Sequence, residues 1–390
     1  MTSTAFDDIE IWQPTKEPIV LDFFLSQGYL ENEKKALEIL YEYTQSIYAD
    51  LVRKNKEPAI FHALWVARFV AKAGGDFNTV LAALLHDVIE EQVDKHIIKD
   101  EISDPKAIKN LEKQVYYELK DFLQSHLKGL LNHRQIAEVL KLVWLLTRLK
   151  KENYYESLRG IFCHSNEVPK IKATIIKLAD RLHNIWRLNC FSSLSDILYQ
   201  IYKNLFVLNN AKELLIESIR QSVDSKLLKS LSKLVTKCGK GSYFAVDLFL
   251  NDHRSTSGNI EPYVYLSLAL YKYILKERGI WHATEQQLSY SSHPSVLFDG
   301  VLFKYHKKLQ RQFDYFAEAN KKERDYIQHY FQKLNLGEDE LDNYVYLKDA
   351  MSFREIFANL IYLEDYIITG FCFVKEENGT IAELSPLFDE

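Results

Sequence analysis

Three short stretches bring together side chains able to hold a divalent ion and to move protons. In LAALLHDVIEE, His86 and Asp87 are adjacent, offering an imidazole nitrogen and a carboxylate oxygen to one ion; both belong to the ligand set of borderline or hard metals. Read as helix, Glu90 stands four residues beyond His86 and Glu91 four beyond Asp87. Each acid then lies one turn above a candidate ligand, where it could handle the proton of a metal-bound water. A helix-end salt bridge is the competing reading of the His-Asp pair alone. In KLADRLHNIWRL, Asp180 interrupts an apolar run, so it must be metal-bound, solvent-facing or paired, for instance with Arg181 or Arg187. Asn184 shares its face one turn on. His183 stands open between support of the ligands and helix packing. In RKNKEPAIFHALWVARF, His62 sits near the start of an apolar helix, where a lone histidine is ordinarily a hydrogen-bonded core residue. Arg53 and Lys54 precede it across a proline-containing turn and could reach the mouth of a pocket floored by His62. Together His62, His86, Asp87 and Asp180 supply two nitrogens and two carboxylates, with water completing the shell of a Mn²⁺-like or other divalent ion.

The elements that must position these groups read as helices throughout. Apolar residues recur at three- and four-residue steps from Glu31 to Leu51, at 60–73 up to Gly74-Gly75, and at 171–188 after Pro169. TVLAALLHDVIEE at 79–91 reads as one helix opened by the polar residues from Asp76 to Thr79. The polar stretch 94–116 predicts a solvent-facing helix, and 119–130, 135–150 and 152–163 predict further ones. Beyond about residue 200, helices are expected over 203–237, 263–277, 300–318, 322–335 and 351–368. CGKGS at 238–242 reads as a turn, NDHRSTSGNIEP at 251–262 as a loop, and GEDELDN at 337–343 as an acidic connection. No period-two run of comparable length appears. An all-α chain is expected, with divisions at 1–29, 30–200 and 201–390.

Composition narrows the setting. The 390 residues exceed the roughly 100–200 of one domain. Lys+Arg 49 against Asp+Glu 54 leaves a net charge of -5, which gives no global electrostatic case for DNA or RNA binding. Cysteines at 163, 190, 238 and 372 form no Cys-x-x-Cys pair and predict isolated thiols in a reducing cytoplasm. MTSTAFDDIEIWQP has acids where a leader needs a basic start, and YVYLSLALYKYIL is too short to span a bilayer. A cytoplasmic protein without a transmembrane segment is therefore expected.

The surrounding words narrow the chemistry. R53-K-N-K-E-P58, H62-x-x-x-V-A67, T79-V-L-A-A-L-L-H-D-V-I-E90 and K177-L-A-D-R-L-H-N184 stand in this order. The ordered H…HD…D set resembles the HD-domain phosphohydrolases. The four words are similar to the hydrolase half of the RelA/SpoT family of guanosine tetra- and pentaphosphate enzymes, over about residues 30–200. That resemblance implies a helical HD fold and Mn²⁺ held by His62, His86, Asp87 and Asp180. It implies an acidic pair, Glu90 and Glu91, beside the attacking water, Arg53 near the guanine base and Asn184 in the nucleotide pocket. It further implies release of the 3′-pyrophosphate of an alarmone to give GDP or GTP. Arg53, Lys54 and Lys56 could offset such a substrate, with Lys177 either on the opposite wall or in solvent. This chain departs from the family at Glu91-Gln92, where Asp-Thr is usual, at Arg187 for a threonine, and at Ala63 for a proline. Its interval from Asp87 to Asp180 also exceeds the family minimum, with 94–116 the candidate extra piece.

The synthetase words of the long family members are absent from the second half, which reads as a helical accessory region. Asp252-His253, in reversed order within the expected loop, gives no second metal site. The aromatic residues Tyr305, Phe313, Tyr315, Phe316, Tyr326, Tyr330 and Phe331 read first as core and second as a protein-partner or homo-oligomer surface. Three functions follow from these readings. One is an alarmone 3′-pyrophosphohydrolase, another an HD phosphohydrolase for a different nucleotide or phosphate ester, and the third a nucleotide-sensing interaction protein without turnover.

Overall fold

The structure is a computed structural model describing residues 12–15, 19–53, 56–191, 193–221, 223–254, 300–330, 332, 335–368 and 370–373. Lys54 and the segment expected to be helical at 263–277 lie outside the described residues. Among those residues there are helices, turns and two isolated bridges, Val52 with Pro58 and Lys128 with Leu131, and no strand. The all-α expectation holds. The chain forms two compact units: Trp12–Cys190 with Leu214–Cys238, and Phe191–Glu213 with the described residues from Gly239 onward.

The first unit contains α1 (Leu21–Leu25), α2 (Glu31–Tyr48), α3 (Ile60–Ala73), α4 (Phe77–Leu84), α5 (Val88–Lys99), α6 (Pro105–His126), α7 (His133–Leu146), α8 (Tyr154–Phe162) and α9 (Glu167–Ile185). Side-chain caps set several starts. Asp76 accepts from the Thr79 amide at α4, and Asp104 with Pro105 opens α6. Asn132 with Gln135 and Asn153 with Glu156 form capping boxes at α7 and α8. α3 stops where Gly74 takes a left-handed φ of 90°, as a helix-ending glycine does. α3 and α4 are apolar on nearly every side because each is packed round by neighbours, and α9 is buried almost as fully although it carries the charged and polar residues of the site. Lys172 of α9 pairs with Asp76 at 2.5 Å and with Glu138 of α7, tying three elements beside the core.

The run 79–91 is not one helix. α4 ends at Leu84, α5 begins at Val88, and Leu85–Asp87 form a sharp turn between them. In an unbroken helix the carbonyl of Ala83 would accept from the amide of Asp87. Here the His86 side chain takes that carbonyl, with Nδ1 at 2.8 Å. Apolar periodicity continues across the turn, so the pattern alone could not reveal it.

α10 (Leu194–Arg220) and α11 (Ser225–Arg254) each contribute to both units. α11 runs straight through CGKGS and on to Arg254, correcting the expected turn and the start of the expected loop. Gly239 is there for space: a Cβ would stand 3.2 Å from Ile361 and 3.4 Å from Leu208. The second unit adds α12 (Val301–Leu309), α13 (Phe313–Tyr330) and α14 (Glu338–Tyr362). The acids expected to form a connection instead open α14, where the unpaired amides and helix dipole favour negative charge. Tyr305, Phe316 and Tyr326 are buried as expected, whereas Phe313 and Tyr315 face outward.

Four buried charges link the helices of this unit. Lys304 of α12 reaches Glu323 of α13 at 2.7 Å and Asp349 of α14 at 2.8 Å, while Lys348 reaches the same two acids at 3.0 and 2.5 Å. Tyr305 donates to Asp349 at 3.1 Å. Removing one cation strands a buried carboxylate. Lys304→Met is therefore expected to cost about 3–5 kcal/mol in chemical denaturation; a loss below about 1 kcal/mol would show the network to be dispensable.

Candidate metal centre

The turn between α4 and α5 matters for geometry. Neighbours on a continuous helix point about 100° apart, yet His86 Nε2 and Asp87 Oδ2 here come within 3.1 Å. His62, on the first turn of α3, brings its Nε2 to 3.3 Å from His86 Nε2 and 3.5 Å from Asp87 Oδ2. Asp180 of α9 places Oδ1 at 3.3 Å from the same His62 nitrogen. His62, His86 and Asp87 form a group able to hold a metal ion, their ligand atoms within 4.8 Å of one another. Both imidazoles are buried.

The donor set fits a cation. With Nδ1–H of His86 committed to the Ala83 carbonyl, its Nε2 presents a lone pair. His62 Nδ1 lies 2.9 Å from His183 Nδ1, so one ring donates and the other accepts. If His62 donates, its Nε2 is also a bare acceptor facing that of His86. Two lone pairs and two carboxylate oxygens converging on one point repel unless a positive charge lies between them. In the metal-free protein a proton on the imidazoles takes that place: Asp87 raises the pKa of His86 despite its burial. Burial alone would favour neutral acids. Even so, the protonated histidines hold Asp87 well below the ordinary carboxylate range, and Lys177 and Arg181 do the same for Asp180. Both therefore stay ionised and available as ligands.

His183, left open by sequence, thus contacts the candidate ligand His62 directly. It is buried, and its own pKa is pushed well down by that burial and by His62. When His183 accepts at Nδ1, this neutral ring fixes the tautomer of His62, the way outer partners orient metal-binding imidazoles. His183→Ala is expected to weaken Mn²⁺ binding by about 10–100-fold in a calorimetric titration. Unchanged affinity would mean that His62 needs no such partner.

The remaining groups surround this cluster. Asn184 donates to Asp180 at 2.5 Å and accepts from Arg53 at 3.0 Å, so two residues expected around a nucleotide are joined to each other. Arg53 Nη1 is buried with no hydrogen-bond partner among the described residues. Lys177 does not face solvent: its Nζ lies 2.9 Å from Asp180 and 5.4 Å from the Tyr154 ring centre. Arg187 pairs with Glu57 at 3.1 Å, bracing the turn that carries Arg53. Glu90 accepts from the Arg148 amide at 2.7 Å. Burial and the charge of Asp87 raise its carboxyl to about 7, and the same two causes raise Glu91 less. Lys54 lies outside the described residues.

Two groups were missed from sequence. The Arg148 amide gave no residue-type signal, because it acts through its backbone. Tyr48 closes α2 and is 4% exposed, and an aromatic residue at helical spacing reads as core.

Residues 41–113 match the model of the HD domain, and within them His62, His86 and Asp87 form the cluster able to hold a metal ion, as in the fold of metal-dependent HD phosphohydrolases. The chain is homologous, at modest identity, to the RelA/SpoT hydrolases. It is 30% identical over 162 residues to the bifunctional (p)ppGpp synthase/hydrolase SpoT of Escherichia coli, covering 41% of this chain and 19% of that protein. It is 28% identical over 159 residues to the guanosine-3′,5′-bis(diphosphate) 3′-pyrophosphohydrolase of Borreliella burgdorferi, covering 41% and 20%. For the protein of that same name in Aquifex aeolicus the figures are 29% over 149 residues, 37% and 16%. The chain thus spans about a fifth or less of the length of these curated relatives. No described helix is long and apolar enough to cross a membrane.

Proposed function

We propose that the chain is a Mn²⁺-dependent 3′-pyrophosphohydrolase acting on guanosine tetra- and pentaphosphate, with His62, His86, Asp87 and Asp180 as the metal ligands. The observation that carries this reading is the convergence of those four groups beside a carboxyl poised near neutrality. When bound, the divalent ion makes a water more acidic and neutralises charge on phosphoryl oxygens. Glu90 accepts the proton of the attacking water, its pKa of about 7 matching that of an efficient general base at neutral pH. Glu91, one residue on, orients the same water. Arg53 offers to the substrate its Nη1, unpartnered among the described residues, while Asn184 holds its other amino group. Lys177 neutralises Asp180.

A second reading keeps the chemistry and changes the substrate to another nucleotide. It is favoured by the Arg187–Glu57 pair, which puts an ion pair on the turn that carries Arg53. Product analysis separates the two. With Mn²⁺ and a panel of 3′- and 5′-phosphorylated nucleotides, pyrophosphate with GDP or GTP supports the alarmone reading. Exclusive hydrolysis at the 5′ side, or inert alarmones beside a hydrolysed alternative, supports the other.

A further inference from the structure

Tyr48 is the last residue of α2, at the point where the chain turns into the Arg53 segment. Its end of α2 is fastened to α5: Lys95 donates to the Ile47 carbonyl at 2.5 Å and Gln92 to the Tyr43 hydroxyl at 3.3 Å. α5 is the helix that carries Glu90 and Glu91 and begins directly after Asp87. The Tyr48 hydroxyl is buried and has no hydrogen-bond partner among the described residues. A buried hydroxyl without a partner costs folding free energy, so its place in this neighbourhood needs a reason. The charged groups around it are Asp87, Glu90, Glu91 and Arg53, the same groups that surround the metal cluster.

We infer that the Tyr48 hydroxyl donates a hydrogen bond to a phosphoryl oxygen of the bound substrate, an assignment that rests on reading the site as a phosphohydrolase. Three considerations support a donor to phosphate. Burial and the three carboxylates keep the phenol protonated far above any working pH, so it presents a hydrogen at all times. Arg53, whose charge acts on Tyr48, has in its Nη1 a second buried donor without a partner among the described residues, and two unmatched donors suit a ligand rich in acceptors. A neutral hydroxyl can also approach phosphate without drawing charge from the carboxylates that the reaction uses.

Tyr48→Phe in the full chain tests this with inorganic pyrophosphate as probe. Mn²⁺ affinity is expected to stay within about twofold of wild type, because Tyr48 is not a ligand. The metal-free melting temperature is expected to hold or rise, since an unmatched hydroxyl is removed. Pyrophosphate binding to the Mn²⁺-loaded protein should weaken by about tenfold, as for loss of one hydrogen bond to a charged group. Unchanged pyrophosphate affinity overturns the assignment, as does a fall in melting temperature, which would mark a structural hydrogen bond. Failure of the wild type to bind pyrophosphate overturns it too. If the wild type leaves guanosine polyphosphates intact while Tyr48→Phe still loses pyrophosphate affinity, the substrate reading fails and the Tyr48 assignment stands.

Discussion

Asp87→Asn is expected to remove metal-dependent turnover by about a thousandfold or more, in keeping with loss of an ion that activates water and offsets phosphoryl charge. The substitution preserves size but replaces an ionised ligand with a neutral amide. Despite its burial, the histidines hold Asp87 ionised, so the wild-type oxygen, 3.1 Å from His86 Nε2, is available as a full anionic ligand. An asparagine offers a weaker oxygen, or points two N–H donors at lone pairs that need a cation. Mn²⁺ should then no longer raise the melting temperature, since ligand stabilisation scales with the affinity of the folded state. Retention of more than a tenth of wild-type activity, with normal Mn²⁺ stabilisation, would remove Asp87 from the ligand set.

Glu90→Gln should separate chemistry from metal binding. Turnover is expected to fall by about 10²–10⁴-fold, the usual contribution of a general base, while Mn²⁺ affinity stays near wild type. A second signature needs no turnover. The carboxyl has an ordinary value of 4.5 and stands at about 7 in the folded metal-free protein. As pH rises through that interval the unfolded chain releases this proton first, so the folded state binds more protons. The group therefore takes stability away as pH climbs from about 4.5 to about 7, and the penalty is complete above that range. In metal-free buffer the melting temperature of Glu90→Gln should fall less steeply with pH across this window than that of wild type. Parallel profiles would show that Glu90 is not held protonated by its surroundings.

The ligand types were legible in the sequence because few residues can bind a hard cation and each stood inside a distinctive word. His62, His86 and Asp87 come together as those words suggested. The geometry that joins them was less legible. The α4–α5 turn lies in a run whose apolar period never breaks, and its cause is a side chain competing for a backbone carbonyl, which pattern cannot register. CGKGS misled for the opposite reason. Glycine marks turns when backbone freedom is needed, but Gly239 serves close packing within a helix. The contact of His183 with His62 joins residues 121 apart, so only the tertiary fold could decide its role.

The division of α10 and α11 between the two units has a consequence for how the protein is made. The unit that carries the candidate metal centre is not finished when α9 ends. It also contains Leu214–Cys238, whose Ser218 donates to Glu167 at 2.8 Å and whose Lys233 donates to the Lys72 carbonyl at 2.6 Å. On the ribosome, every proposed ligand has been synthesised once Asp180 appears, yet the scaffold beneath α3 and α9 waits for dozens more residues. A chain cut after residue 200 would therefore hold all the ligands and lack part of their support.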